Sequence, residues 1–280
     1  MKISIVGVGL IGGSLAITLR EKGMQTTLSG VDLNSEHLKK ALDLKLVDTA
    51  ESLDEAQATS DVLILTIPVD GLKKTLPNLL DNVKPNQIIL EMGSTKVEVL
   101  DMVDKHPNRG RLVAAHPMAG TEYSGPEAAV KDLFKGKTMV FTNVTDSDED
   151  AIDFAELLAE KMGMKTVFMN AKEHDLHTAY VSHISHLTSF ALALTVLNKE
   201  KSQGRIFELA GGGFESTVRL AKSSSEMWVP IFQQNRKNVL EVLRENISQL
   251  QKIEEVLEAE DYEALARLVK KANKIQRILK

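Results

Sequence analysis

The stretch ISIVGVGLIG, residues 3–12, decides the fold of this chain. It joins an apolar strand pattern to the glycine pattern G-x-G-x-x-G, formed by Gly7, Gly9 and Gly12. In such a pattern the first glycine makes a tight turn, the second lets a ligand approach the backbone, and the third packs a helix against the strand. The backbone N–H groups that open the helix, at Leu10 and Ile11, then face a pyrophosphate. We therefore expect a dinucleotide-binding unit whose cofactor contacts include these five residues.

An acidic residue follows at the position where the ribose of such a cofactor would lie. Asp32 comes twenty residues after Gly12, at the end of the second strand pattern. A carboxylate there can accept hydrogen bonds from both ribose hydroxyls, and it repels the extra 2′-phosphate of NADP. The next residues, Leu33 to Ser35, include no arginine that would bind that phosphate. The sequence therefore favours NAD as the cofactor.

Strand and helix patterns alternate through the first part of the chain. The predicted strands are Lys2–Val6, Thr26–Val31, Val62–Thr66, Ile88–Glu91, Leu112–Ala115, Thr138–Thr142 and Thr166–Phe168, most of them apolar throughout. Apolar residues at i, i+3 and i+4 predict helices at Gly9–Lys22, Ser35–Leu44, Asp70–Leu80, Lys96–Lys105 and Asp148–Met162, with Ser35 and Asp148 as capping residues. This alternation is typical of a parallel sheet covered by helices.

The strand patterns stop near Asn170. The helices predicted beyond it are Glu173–Lys199, Phe214–Lys222, Asn235–Leu257 and Tyr262–Leu279. We expect an α/β fold with two domains, a Rossmann-type nucleotide-binding domain over residues 1–169 and an all-α dimerisation domain over residues 170–280. The long apolar stripes of the second domain cannot all be buried against one another, so we expect a homodimer through the C-terminal helices. The alternative is a monomeric helical cap.

Composition narrows the class of protein. The chain has 280 residues, 43% of them hydrophobic, a net charge of -5 and no cysteine. It can bury a sizeable core, and it has neither disulfides nor thiolate zinc sites. The negative charge argues against nucleic acid as a partner. We find no leader pattern and no apolar run approaching the roughly 20 residues that cross a bilayer, so we expect a cytoplasmic protein with no membrane contact.

A histidine stands at the exit of an apolar strand, where open α/β sheets place their chemistry. His116 follows the strand Leu112–Ala115, and Ser94-Thr95-Lys96 follows the neighbouring strand Ile88–Met92. The two strand ends bring a hydroxyl, an ammonium and an imidazole together beside the expected nicotinamide position. A neutral imidazole can accept a proton from an alcohol while hydride leaves the carbon that bears it. Taken alone, a histidine at a strand end is as often a satisfied core residue.

Five motifs together resemble the prephenate/arogenate dehydrogenase family. They are GVGLIGGS at 7–14, STK at 94–96, HPMAGTE at 116–122, SHISH at 182–186, and GGGF at 211–214 followed by Arg219 and Trp228. They occur in order, and the resemblance runs through nearly the whole chain. It implies oxidative decarboxylation of prephenate to 4-hydroxyphenylpyruvate in tyrosine biosynthesis, with reduction of NAD.

The resemblance also implies roles for single residues. His116 would take the proton of the ring hydroxyl, with Ser94 orienting that hydroxyl and the nicotinamide, and Arg219 would bind a substrate carboxylate through its planar guanidinium. The other expected substrate contacts are His186, Glu122, Gly212 and Trp228, of which Glu122 either bridges to Arg219 or only closes its turn. Trp228 either packs at the substrate mouth or lies in the core.

Other histidines and other functions stay open at this point. His183 and His186 have the spacing of a metal pair, but no third ligand is evident, so we expect no metal. His174 and His177 share that spacing and are interpreted as surface residues. Arogenate is the alternative substrate, since it differs from prephenate only by an amino group in place of the keto group. A non-catalytic NAD-binding regulator is the alternative from another class.

Overall fold

The N-terminal part of the chain is built on one eight-stranded sheet. The computed structural model describes residues 1–24 and 26–278. Its strands are β1 (Lys2–Val6), β2 (Thr27–Val31), β3 (Thr49–Ala50), β4 (Val62–Leu65), β5 (Ile88–Glu91), β6 (Leu112–Pro117), β7 (Thr138–Thr142) and β8 (Lys165–Met169). They lie in the order β3-β2-β1-β4-β5-β6-β7-β8. The neighbouring pairs from β3 to β6 are parallel, as expected for βαβ units.

Helices cover both faces of this sheet. They are α1 (Leu10–Glu21), α2 (Ser35–Asp43), α3 (Leu53–Thr59), α4 (Val69–Asp81), α5 (Val97–Asp101) and α6 (Glu149–Lys161). Side chains alternate along β4, so that Val62 and Ile64 join the core beneath α1 and α6 while Leu63 and Leu65 join the core beneath α4 and α5. Burial on both faces explains why the strand patterns are apolar at nearly every position.

The C-terminal part is helical. Its elements are α7 (Ala171–Thr178), a π-helical turn (Ala179–His183), α8 (Ile184–Glu200), α9 (Gly212–Val218), α10 (Ser225–Gln234), α11 (Arg236–Glu258) and α12 (Tyr262–Ala272). Trp228 and Ile231 of α10 are buried in the same core as α4, which ties the two parts together. The α/β class with a helical second part is confirmed. The last residue of the predicted helix Tyr262–Leu279 lies outside the described residues.

The sheet departs from the predicted parallel arrangement at one edge. β7 runs antiparallel to β6, and β8 runs parallel to β7. A parallel return usually runs through a crossover helix, and the described connection from β6 to β7 contains no α-helix but a 3₁₀ turn at Pro126–Ala128. β8 is also largely exposed, since it forms the edge of the sheet.

Several local predictions are also corrected. β3, α3 and α10 have no counterpart among the predicted elements, and α5 ends at Asp101 rather than Lys105. The cap of α2 is Asn34, whose side chain accepts the N–H of Glu36, so Ser35 is the first helical residue. Asp148 stands at the start of α6 without capping it, because its carboxylate pairs with Arg111 at 3.1 Å.

One helix contradicts the expectation that no apolar segment approaches membrane-spanning length. The helix from Ala171 to Glu200 continues through the π-helical turn and is long and apolar enough, by length and composition alone, to cross a membrane. Only 11% of its most apolar window is buried within one copy of the chain. A single helix of this kind is weak evidence for a membrane span, and the absence of membrane contact stays a prediction.

Candidate functional site

The turn between β1 and α1 has the geometry of a dinucleotide site. Gly7 has a φ of +97°, which disfavours any side chain, and a Cβ on Gly12 would lie 2.1 Å from the carbonyl oxygen of Gly7. A Cβ on Gly9 would meet only the backbone nitrogen of Gly125, at 3.9 Å. The first and third glycines therefore serve the protein's own packing, and the second borders open space. Because α1 begins at Leu10 beside that space, its first N–H groups can receive a pyrophosphate.

The glycines therefore predict two different outcomes for the same substitution. Gly12→Ala should lower the free energy of unfolding by about 1–3 kcal/mol, because the new methyl group overlaps the backbone of Gly7. Gly9→Ala should leave the urea midpoint unchanged and weaken cofactor binding in calorimetry. Equal losses of stability in both variants would contradict this division of roles.

Asp32 lies at the same mouth, just beyond β2. Its carboxylate accepts the N–H of Val8 at 3.1 Å and the N–H of Asn34 at 2.9 Å. Nδ1 of His37 lies 3.6 Å from Oδ1 of the same carboxylate. Two backbone bonds hold the carboxylate beside the glycine turn, and its remaining lone pairs are available to ribose hydroxyls.

His116 lies inside β6 rather than after it, since the strand continues through Pro117. It pairs with Val140 of β7 and is partly exposed. Ser94 is half-buried in the loop after β5, the strand beside β6, so the imidazole and the hydroxyl stand at the ends of neighbouring strands. Burial, reinforced by His174, Lys96 and His183, holds the pKa of His116 well below its ordinary value. The ring is therefore neutral at pH 7 and able to accept a proton.

A chain of hydrogen bonds behind His116 was missed by the sequence reasoning. Nδ1 of His116 is 2.8 Å from Nε2 of His174, and Nδ1 of His174 is 2.8 Å from Oδ1 of Asp175. His174 is 1% exposed, so its interpretation as a surface residue is wrong, whereas His177 is exposed. The i, i+3 spacing of the two histidines gave no sign of this difference. The sequence signal that could have indicated it is the acidic residue Asp175 directly after His174.

Lys96 does not present its ammonium to the open site, as its position after Ser94 suggested. Both Lys96 and Glu91 are 0% exposed, and Nζ of Lys96 is 2.5 Å from Oε1 of Glu91. The same Nζ donates to the carbonyl oxygen of Ala115, next to His116, and Oε2 of Glu91 accepts the N–H of Gly93. Burial raises the pKa of Glu91 and lowers the pKa of Lys96. The pair supports β5 and β6 from beneath the site.

A second group of predicted site residues lies on the helical part and on the loop after β6. Nη1 of Arg219 is 2.6 Å from Oε2 of Glu122, so the bridge between these residues is present in the structure. The side chain of Arg219 is 48% exposed and can still reach a ligand from solvent, while that of Glu122 is 10% exposed. The pKa of Glu122 is lowered by its own backbone N–H and by Arg219.

His186 and Trp228 form the aromatic part of this group. Their rings stack with centroids 3.5 Å apart, and Trp228 is 7% exposed. Nδ1–H of His186 donates to the carbonyl oxygen of Ser182, which leaves Nε2 for another partner. Nε1 of Trp228 is buried and has no hydrogen-bond partner among the described residues. Gly212, in contrast, is the exposed first residue of α9, and among the described residues no atom beyond its chain neighbours and its own helix backbone lies within 4 Å of the place where its Cβ would stand.

Comparison with known proteins agrees with this architecture. The family models that match are the nucleotide-binding domain of prephenate dehydrogenase, over residues 15–168, and its dimerization domain, over residues 170–271. Prephenate dehydrogenase of Bacillus subtilis is 31% identical over 96% of this chain and 74% of that protein. Cyclohexadienyl dehydrogenase of Zymomonas mobilis is 29% identical over 99% of this chain and 96% of that protein.

Solved structures agree as well. Prephenate dehydrogenase from Aquifex aeolicus, in complex with hydroxyphenyl propionate and NAD+, superposes with a TM-score of 0.90 at 30% identity, over 99% of this chain and 97% of that one. Arogenate dehydrogenase from Synechocystis gives a TM-score of 0.74 at 26% identity, over 99% of both chains. This chain belongs to the prephenate dehydrogenase family of oxidoreductases.

Proposed function

We propose that this protein catalyses the NAD-dependent oxidative decarboxylation of prephenate to 4-hydroxyphenylpyruvate, a step of tyrosine biosynthesis. The observation that carries the proposal is a neutral, partly exposed His116 near the C-terminal end of β6, beside the strand β5 that Ser94 follows, in the sheet whose strand β1 leads into the dinucleotide turn. The names of the relatives in Bacillus subtilis and Aquifex aeolicus support prephenate as the substrate.

The proposed cofactor fits the turn between β1 and α1. The open space at Gly9 and the N-terminus of α1 would hold the pyrophosphate, and Asp32 would bind the ribose. When bound, NAD supplies the carbon that accepts the hydride. The Aquifex relative carries NAD+ in its structure, which supports NAD for this chain. Asp32 disfavours NADP through the repulsion between its carboxylate and a 2′-phosphate.

His116 handles the proton of the reaction. As hydride leaves the ring carbon that bears the hydroxyl, an unprotonated ring nitrogen of His116 takes the hydroxyl proton, and Ser94 orients that hydroxyl. Loss of carbon dioxide from the far side of the ring makes the ring aromatic and leaves its electrons on the phenolate oxygen. The neutral phenol of the product carries one proton, so the imidazolium can return the proton that it took. His116 acts first as a base and then as an acid.

Arg219 is proposed to bind a carboxylate of the substrate. Its guanidinium binds the carboxylate of Glu122 through Nη1, which supports a carboxylate group as its partner. His186 and Trp228, stacked on the same part of the molecule, would line the pocket next to it. Gly212 leaves open space where its Cβ would stand among residues 1–24 and 26–278, so a substrate could approach its backbone there.

The deciding experiment compares substrates and cofactors in one assay. We expect NADH formation with prephenate and NAD, and a much lower kcat/KM with NADP. Arogenate is the second candidate, favoured by the name of the Synechocystis relative, so it is assayed in parallel with both cofactors. Turnover of arogenate alone would replace prephenate as the substrate. Binding of NAD without turnover of either compound would favour the non-catalytic regulator and refute the proposal.

We also propose that the protein works as a homodimer through its C-terminal helices. Large apolar side chains stay exposed on α8, α11 and α12 in one copy, among them Leu194, Leu197, Leu250, Leu257 and Val269. The matching family model is that of a dimerization domain. Covering this surface with a second copy would remove its contact with water. Sedimentation equilibrium should give a dimer at micromolar concentration, and a monomer there would refute the dimer.

A further inference from the structure

The buried side chains behind His116 form a hydrogen-bonded series with a defined direction. Asp175 accepts the N–H of Lys96 at Oδ1 and the N–H of Val97 at Oδ2, each at 2.9 Å. A carboxylate that already accepts two backbone N–H groups is an acceptor toward its third partner as well. The third partner is Nδ1 of His174, at 2.8 Å from Oδ1. Nδ1 of His174 must therefore carry the proton of this bond.

The position of the proton on His174 also determines where His116 carries its proton. A neutral imidazole that donates from Nδ1 accepts at Nε2. Nε2 of His174 is the atom 2.8 Å from Nδ1 of His116, so His116 has to donate there. Burial lowers the pKa of both rings, which keeps both neutral at pH 7. A neutral His116 that carries its proton on Nδ1 has a free lone pair on Nε2.

We propose that His174 and Asp175 are positioning residues for the reaction, which hold His116 in the tautomer whose Nε2 can accept the substrate proton. The proposal rests on the function proposed above, because it explains how His116 is ready to act as its base. Neither residue touches the reacting atoms in this role. In the same way, a buried aspartate orients the catalytic histidine of the serine proteases.

The series is itself held in place from both parts of the molecule. The N–H groups of Lys96 and Val97 stand at the start of α5, two and three residues after Ser94. The carbonyl oxygen of Asp175 accepts Nδ2 of Asn235 at 2.6 Å, from the junction of α10 and α11. Asp175 is 2% exposed and His174 is 1% exposed, so water does not compete for these bonds. A rigid, dry support of this kind is what a fixed tautomer requires.

Two substitutions at position 174 separate the proposed role from mere packing. His174→Gln keeps an amide oxygen that can accept the Nδ1–H of His116, and His174→Leu has no acceptor. We expect kcat to fall roughly 10²-fold in His174→Leu with little change in either KM, less than the ~10⁴-fold that follows a fully reversed tautomer. We expect His174→Gln to recover most of the loss. His177→Leu, an exposed histidine of the same helix, is the matched control and should keep full activity.

Nitrogen-15 NMR of the histidine rings tests the proposal without turnover. In the wild-type enzyme free of ligands at pH 7.5, we expect the proton of His116 on Nδ1, with the signals assigned by their loss in His116→Asn. A proton on Nε2, or equal kcat in the Leu and Gln variants, would overturn the proposal. If His174→Leu does not fold, the wild-type and Gln spectra still decide. Since this readout needs no substrate, it is independent of whether prephenate is turned over.

Discussion

Replacing His116 with asparagine should lower kcat by a factor on the order of 10³ while the Kd for NAD stays within about twofold. General acid–base catalysis by a positioned side chain is worth ~10²–10⁴-fold, and His116 is the neutral imidazole at the strand ends. Asparagine keeps a polar side chain of similar size, but its amide cannot take up a proton at neutral pH. Steady-state kinetics with prephenate and isothermal calorimetry with NAD measure the two quantities.

The matched control for this variant is His177→Asn, because His177 is exposed on α7 and outside the hydrogen-bonded series. It should behave as the wild type. Full activity in His116→Asn with unchanged cofactor affinity would rule out His116 as the base. The pH profile gives a second check. Since the base form is the neutral ring and the pKa of His116 is lowered, activity should persist well below pH 6.5 and should fall only as the pH drops through that lowered pKa.

Replacing Lys96 with methionine should lower the free energy of unfolding by about 3–5 kcal/mol, the usual cost of removing one partner from a buried ion pair. Both side chains are 0% exposed, so Glu91 would keep its carboxyl group in a dry core without its donor. The carbonyl oxygen of Ala115 would lose its partner as well. Urea unfolding followed by circular dichroism should give a lower midpoint with an unchanged slope.

The chain provides a close control for the Lys96 variant. Lys73 and Glu98 are also 2.5 Å apart, but their side chains are 35% and 41% exposed. Lys73→Met should therefore cost at most ~1 kcal/mol, as exposed pairs do. The double variant Lys96→Met, Glu91→Gln should recover part of the loss, because glutamine is neutral and its oxygen can still accept the N–H of Gly93. Equal losses of unfolding free energy for Lys96→Met and Lys73→Met would mean that burial does not determine how much an ion pair contributes to stability.

The features that could be predicted from the sequence are those whose signals are local. Gly7, Gly9, Gly12 and Asp32 occupy fixed positions along one βαβ unit, so their spacing is enough to place them. The strands β1, β4 and β5 are buried on both faces and are therefore apolar at every position except Lys2, Ser4 and Glu91. Long helices such as α11 have their own periodicity, and their existence was predicted within a few residues of the ends found here.

The features that escaped prediction depend on partners far along the chain. His174 is a buried member of the site because His116, 58 residues earlier, lies next to it. The antiparallel direction of β7 follows from the path of a loop, and an apolar strand pattern has no direction. β3 has two exposed residues, too few for any pattern. Asn34 caps α2 because its backbone is extended. The sequence does not indicate which of the neighbours Asn34 and Ser35 takes that conformation.

The inverted strand pair has a consequence for how the molecule can be divided. β7 and β8 run opposite to the rest of the sheet, and β8 is its last strand. After β8, α7 carries His174 and Asp175 back to the strands of the site. The first helix of the C-terminal part is therefore a structural member of the nucleotide-binding part. A chain cut after Met169 would lose the partners of Lys96 N, Val97 N and His116. The break in sequence pattern near Asn170 marks a change of architecture, and the smallest unit that can keep its catalytic edge intact extends at least through α7.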